Sequence, residues 1–316
     1  CSQPRNWCVG QRGLIVRRIR RSHGWEHSSL MEAIVRDKAL VLYHDNCPDG
    51  FTAAWAVWKA LGDDVECVAV NYGQDPPTER AIGRRVVIVD FSYPRLKLDA
   101  LAAAAASVEV YDHHQTAQAD LDGWLGGKVV FDMDRSGAGI AWDEFHQGGA
   151  VWLGLRPRLV AYVEDRDLWR WALQNSREIS EYLFSWPRTF GNWDSLADAL
   201  ENPVSLEAAV MAGAALLRAK RARVAEICKN ARWVVLAGHR IPVVNTAWDF
   251  SEIGEHLHEQ HPEAPCGGYY FDRVDRRQWG FRSNRGTFDV AELCKQFGGG
   301  GHRAAAGFTS DIGWLP

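Results

Sequence analysis

Three short apolar runs, each stopping on an acid or a histidine, constrain this chain more than anything else in it. Ala39-Leu-Val-Leu-Tyr43 runs into His44-Asp-Asn-Cys-Pro-Asp-Gly50, Arg85-Val-Val-Ile-Val89 into Asp90, and Val108-Glu-Val-Tyr111 into Asp112-His113-His114. Runs rich in Val, Ile and Leu, bounded by turn-formers, are the pattern of strands buried on both faces. Between them lie stretches of helical composition, Phe51 to Leu61 and the alanine-rich Leu96 to Ala106, with a further strand expected at Val65 to Val70. Strands alternating with helices at this spacing predict a parallel sheet with right-handed crossovers. In such a sheet the strands finish at one edge, where α/β folds bind their ligands. A lone Asp-His-His triplet means little, but beside other acidic strand ends it reads as one wall of a site.

Gly137 to His146 is a helix with Ser136 near its cap, and Arg158 to Trp171 is a helix carrying Glu164, Asp165 and Asp167. Asn175 to Trp193 is expected to be irregular and aromatic, and Leu206 to Lys229 a long connecting helix. Strand patterns resume at Trp233 to Ala237, Ile241 to Asn245, Gly268 to Phe271 and Gln278 to Arg282. A capped helix, Thr287 to Cys294, then leads to Gly298-Gly-Gly-Gly-His-Arg303. The fold class is therefore α/β. A parallel-sheet domain over 31–205 is joined by a helical linker, 206–230, to a smaller α/β domain over 231–316.

Composition narrows the classes. With 316 residues, 47% of them hydrophobic and 24% charged, the chain is long enough for two buried cores. No apolar run nears the roughly 18 residues of a membrane helix. Seven cysteines without regular spacing do not read as a disulfide framework, so a reducing cytoplasm is the expected setting. Residues 1–30 hold six arginines and one acid, a local net charge of +5, which leaves −9 on the rest beneath the total of −4. That segment is expected to be a disordered extension or sequence upstream of a start at Met31, with a targeting segment as the alternative. An acidic body argues against duplex DNA as a partner, because sequence-independent duplex binding relies on dense positive charge.

Carboxylates with a few imidazoles and no paired thiolates favour Mn²⁺ or Mg²⁺. Ligands from separate strands can hold two such ions about 3.5–4 Å apart, an arrangement that clamps in-line displacement at phosphorus. The bland alternatives are turn-formers and helix caps for single aspartates, and a structural histidine for His114.

With these residues in place, the chain resembles the DHH phosphoesterase superfamily, which includes RecJ-type exonucleases, nano-RNA and pAp phosphatases and cyclic-di-AMP phosphodiesterases. The resemblance rests on His44-Asp-Asn-Cys-Pro-Asp-Gly50, Asp90, Asp112-His113-His114, Glu164-Asp-Arg-Asp-Leu-Trp169 and Gly298-Gly-Gly-Gly-His-Arg303, in that order. It implies a metal set of His44, Asp49, Asp90, Asp112 and Asp165, with Asp167 as the competing choice and Asp90 as the bridging ligand. It also implies catalytic roles for Asp112, His113 and His114. Cys47 stands where the family carries an aspartate, and both a thiolate ligand and a small buried filler stay open there.

In the C-terminal domain, Gly299, Gly300 and Gly301 are expected to form an anion-binding nest, with His302, Arg303 and Arg282 as further substrate contacts. The implied cofactor is Mn²⁺, as two ions, with Mg²⁺ as the alternative. The implied reaction is hydrolysis of a small nucleotide phosphodiester or phosphomonoester, with short single-stranded RNA preferred as substrate. A cyclic dinucleotide and pAp are the alternatives, and a non-catalytic nucleotide-binding module is the reading from another class. No membrane is expected as a partner, and a homodimer is compatible with the sequence.

Overall fold

A computed structural model describes residues 38–45, 47–148 and 156–316. The expectation for residues 1–30 falls outside the described residues. The apolar runs become β1 (Ala39–His44), β2 (Val65–Val70), β3 (Arg85–Val89) and β4 (Ser107–Asp112), and a fifth strand follows, β5 (Lys128–Phe131). They pair in the order β2-β1-β3-β4-β5, every pair parallel. The intervening helices are α1 (Pro48–Leu61), α2 (Thr78–Ala81), α3 (Arg95–Ala104) and α4 (Gln115–Asp120).

Alternate strand residues serve opposite faces. Leu40, Leu42, Val86, Ile88 and Val110 join a core with Leu98 and Leu101 of α3. Val41, Val87, Val89 and Tyr111 join another with α1 and α5 (Gly137–Gln147). Both faces are covered, which explains why the strands lack polar alternation. β5 has no counterpart among the sequence expectations, because four residues carry too little pattern to distinguish a strand.

The stretch expected to be irregular, 175–193, is mostly helical. After α6 (Arg158–Asp167) come α7 (Ser176–Phe184) and α8 (Phe190–Glu201). Ile179 and Leu183 bury one face of α7, and Trp193, Leu196 and Leu200 one face of α8, all at helical spacing. Thr189 caps α8 by accepting the Asn192 amide. The linker helix α9 (Pro203–Cys228) starts earlier than Leu206, because Pro203 suits a first helical position and Asn202 accepts the Val204 and Ser205 amides. Its 26 residues span about 39 Å. Gly213 lets it close on α7, where a side chain would strike the carbonyl of Glu178.

The C-terminal sheet comprises β6 (Arg232–Leu236), β7 (His239–Asn245), β8 (Gly267–Asp272), β9 (Arg277–Arg282), β10 (Gly300–His302) and β11 (Ala305–Ser310). Its order is β10-β11-β9-β8-β7-β6, antiparallel except between β7 and β8. Helices α10 (Phe250–Gln260) and α11 (Val290–Lys295) complete it. Charged pairs fasten α10 to α6, α7 and the linker helix α9. Arg166 and Lys220 both reach Glu252, and Arg177 takes Glu255 at 2.9 Å, where the Trp169 indole also donates. This fastening sets β10 opposite the acidic strand ends.

Candidate metal centre

Pairing in register places the functional residues before any side chain is considered. Tyr43 lies level with Val89, and Val89 with Tyr111, so His44, Asp90 and Asp112 finish neighbouring strands at one height. The order 2-1-3-4-5 reverses direction between β1 and β3, the crevice in which open parallel sheets bind ligands. Asp90 steps out of its strand with φ +54°, in the left-handed region that aspartate tolerates better than most residues. Its amide still donates to the Tyr111 carbonyl, at 2.9 Å, which holds the bend in place.

Asp49 arrives from the first turn of α1, because the helix begins at Pro48 rather than at Phe51. Gly50 permits this turn, since a side chain there would press on the His44 backbone. The Asp49 carboxylate accepts the amides of Gly137 (2.6 Å) and Ala138 (3.0 Å) at the start of α5. A side chain at Gly137 would collide with Asp90 itself, so the glycine is what lets this helix end approach the two acids. Ser136 caps the same helix through Gly139, as expected of it. A buried ion-pair quartet lies beneath. Arg135 bonds Asp143 (2.6 Å) and Glu164 (2.9 Å), and Arg156 bonds the same two acids.

Among the described residues, four sets of side chains have potential ligand atoms within 4.8 Å of one another: Asp49, Asp90 and His113; His44, Cys47 and Asp90; Asp90, Asp112 and His114; and His113, His114 and His302. Asp90 belongs to three of them. Cys47 therefore faces the cluster and is not merely filler at a distance from it. His113 Nε2 lies 3.1 Å from Asp90 Oδ1 and 3.8 Å from Asp49 Oδ2. His114 Nδ1 meets Asp112 Oδ1 at 2.6 Å, an oxygen that also accepts the His113 amide.

Electrostatics follow from crowding buried acids. Burial and the neighbouring Asp90 and Asp167 charges hold the Asp49 carboxyl well above its usual range. Burial pushes Asp90 the same way, but the His113 bond and nearby His44 overcome it and keep Asp90 well below. Burial would lower His113, yet Asp90, Asp167 and Asp49 together raise it to about 11. Burial raises the Cys47 thiol, and the surrounding acids raise it further.

The fourth acid needs correction. Asp165 is turned away from the cluster: its oxygens accept the Ala172 amide (2.9 Å), the Leu173 amide (3.3 Å) and the Ser176 hydroxyl. Asp167 instead points at the site, 3.6 Å from His113 Nε2. Residues two apart on a helix lie on nearly opposite sides, so one of them had to face away. Asp167→Asn is expected to weaken Mn²⁺ binding by about tenfold or more with little change in Tm. Asp165→Asn should do the reverse and lower Tm by several degrees, through loss of charge-assisted bonds. Calorimetric titration and thermal melts of both variants check the assignment.

The glycine run also differs from its expected form. The Gly299 amide donates to the Cys294 carbonyl, and Gly300 and Gly301 pair with Gly307 and Ala306. At two of them the lack of a side chain serves strand packing: a Cβ at Gly299 would strike Gly307 and Phe308, and one at Gly301, with φ +143°, would crowd Ala305 and Ala306. The open nest of amides is thus replaced by a tight strand corner. Arg303 is tied to its own domain, donating to the Gly286 carbonyl (2.9 Å) and reaching Asp289. Arg282 bonds Ser251 and the Phe281 carbonyl, and its charge is among those acting on His302. His302 does meet the cluster, with ring centroids 4.3 Å from His114 and 5.2 Å from His113. Burial and the two neighbouring imidazoles push it down to about 3, so it stays neutral.

Two features of the cluster fit a divalent cation. Asp90 Oδ2 and Asp112 Oδ2 are buried and, among the described residues, lack a hydrogen-bond partner. Buried carboxylate oxygens are ordinarily paired, so these two are donors left for something else. The set is also carboxylate-rich with imidazoles, which suits Mn²⁺ or Mg²⁺.

One residue at the site has no place among the sequence expectations. Tyr72, in the turn after β2, has its ring centroid 5.2 Å from His44 and 6.0 Å from His114. Asn71-Tyr-Gly-Gln74 following a strand pattern is the signal that could have found it.

No family model matches the chain. A curated relative, the uncharacterized protein R106 of Acanthamoeba polyphaga mimivirus, is 26% identical over 299 residues, covering 88% of this chain and 69% of its own. Among solved structures, the DHH domain of a protein assigned to a family of ribosomal proteins superposes with a TM-score of 0.61. It is 16% identical and covers 90% of this chain and 86% of its own. An exopolyphosphatase-related protein from Bacteroides fragilis superposes with a TM-score of 0.51 at 11% identity, covering 91% of both chains. The chain has the fold of the DHH superfamily.

Proposed function

From this DHH fold we propose that the chain is a divalent-metal-dependent phosphoesterase that hydrolyses small nucleotide phosphodiesters, with short oligoribonucleotides as the preferred class. The observation that carries this reading is Asp90. It is shared by three candidate ligand sets and keeps one buried oxygen, Oδ2, without a hydrogen-bond partner among the described residues, with His44 Nδ1 3.7 Å away. Asp49, Asp90, Asp112 and Asp167, with His44 and His113, would hold the ions. Bound there, two Mn²⁺ or Mg²⁺ ions would supply Lewis acidity at phosphorus.

The protein's own groups do the rest. Asp112 fixes the His114 ring and the backbone of the Asp-His-His turn through one oxygen. The start of α5 fixes Asp49. His302, presented by the C-terminal sheet and kept neutral, closes the cluster beside His113 and His114, where a phosphate ester would be gripped between the two halves.

The acidic body supports short substrates, since it offers no long basic track for a polymer. A Mn²⁺-supplemented comparison of a ribodinucleotide, pAp, cyclic di-AMP and pyrophosphate tests the reading. Turnover is expected to be highest on the dinucleotide and lost in Asp112→Ala. Preferred turnover of pAp or the cyclic dinucleotide would replace the substrate. Absence of turnover on all four, with fewer than two ions bound per chain, would leave a nucleotide-binding module.

A further inference from the structure

We propose that Tyr72 is the stacking platform for a nucleobase of the substrate, so that the base beside the reacting phosphate is read at the lip of the acid–histidine cluster. The inference rests on the phosphoesterase reading for its substrate class, but its geometry is independent of it. Tyr72 is a large aromatic residue with 55% of its surface exposed, in contact with two histidines of the cluster.

The turn that carries Tyr72 is built to hold it there. The Gln74 amide donates to the Asn71 carbonyl at 3.2 Å, and the Gln74 side chain accepts the Asn71 amide at 2.9 Å. Gly73 takes φ +86°, the left-handed third position that such a turn gives to glycine. The Asn71 side chain donates to Asp45, which joins the turn to the loop following β1. From behind, Phe91 supports the ring at a centroid distance of 4.8 Å and is itself buried. His44 and His114 meet it edge-on, at 74° and 71°. Held on one side and open on another, the ring has the form of a base platform rather than of a core residue.

Energetic logic favours a base as the occupant. The cluster is rich in buried acid, so a phosphate ester reaching the metals must bring affinity that does not depend on protein cations. Stacking of a neutral base supplies it, tolerates any base, and is worth roughly five- to 150-fold in affinity by alanine substitution. It would separate nucleotides from pyrophosphate and sugar phosphates at the same metal site.

The test compares wild type, Tyr72→Phe and Tyr72→Ala, each loaded with Mn²⁺, for equilibrium binding of AMP and of ribose 5-phosphate, which differ by the base. Wild type and Tyr72→Phe are expected to prefer AMP by about tenfold, with the preference collapsing to within about twofold in Tyr72→Ala. Mn²⁺ stoichiometry is measured in parallel, because a merely structural ring would weaken metal and both ligands together. Retained preference in Tyr72→Ala, equal binding of the two ligands by wild type, or no AMP binding at all overturns the platform. On a ribodinucleotide, Tyr72→Ala should raise KM about tenfold and move kcat by less than about threefold. If wild type turns over no dinucleotide yet shows the AMP preference and its loss, the hydrolytic reading fails and the platform stands. If turnover is present without the preference, the platform alone fails.

Discussion

Asp90→Asn is expected to lower bound Mn²⁺ from two ions per chain to fewer than one, and to reduce dinucleotide turnover by about a thousandfold. That loss corresponds to roughly 4 kcal/mol of transition-state stabilisation. Asparagine keeps the volume of the side chain and tolerates the left-handed backbone at φ +54°. The substitution therefore removes charge and one ligand oxygen rather than the fold. Asp90 is the side chain common to three ligand sets, and its Oδ2 is one of two buried carboxylate oxygens in the cluster without a hydrogen-bond partner among the described residues. Without metal, the bond to His113 offsets the burial of Asp90. The melting temperature of the metal-free variant should accordingly move by only a few degrees, while the stabilisation that wild type gains on adding Mn²⁺ disappears. Two ions and wild-type turnover in Asp90→Asn would sink the metal-centre reading. Metal analysis, thermal melts with and without Mn²⁺, and a dinucleotide assay check all three expectations.

How far the chain can be read without coordinates depends on the range of the interactions involved. β1, β3 and β4 are legible because burial on both faces leaves an unbroken apolar run, and parallel topology then carries Asp90 and Asp112 to one edge without further information. The choice between Asp165 and Asp167 is not legible. Both sit near the end of one helix, and what turns Asp165 inward is a set of donors at Ala172, Leu173 and Ser176, beyond a reversal of the chain. That reversal runs through Trp169 and Trp171, both at positive φ, which no local propensity predicts for tryptophan. The glycine run reads as an amide nest because four glycines can form one, and their use as a strand corner depends on β11 lying alongside. Helices α7 and α8 are hidden because tryptophans, prolines and polar caps crowd a 3.6-residue period that only their packing reveals. Tyr72 escapes notice for a related reason: a single aromatic in a turn has no pattern, and its meaning comes from His44 and His114 arriving beside it.

Arg156→Met is the second substitution with a large expected effect, and it acts on stability first. The Arg156 side chain is 1% exposed and bonds both Asp143 and Glu164, leaving Arg135 as the other cation of the quartet. Removing one partner of a buried ionic network strands charge in a low-dielectric interior and typically costs about 3–5 kcal/mol, here roughly 10 °C in Tm. The same change should reach the metal centre. Glu164 accepts the Ser136 amide at 3.2 Å, and the two residues that follow hold the Asp49 carboxylate through their amides. A loosened start of α5 is therefore expected to weaken Mn²⁺ binding by about tenfold, in the range seen when supports behind metal ligands are removed. Replacing all four partners, Arg135→Met, Asp143→Leu, Arg156→Met and Glu164→Leu, separates the two effects. Apolar packing in place of a buried ion network is often neutral or better for stability, so Tm should recover. The Ser136 amide still lacks its Glu164 acceptor in that variant, so metal affinity should stay low. Recovery of both together would mean that the quartet serves only packing, whereas recovery of Tm alone makes it the device that aims the start of α5 at Asp49.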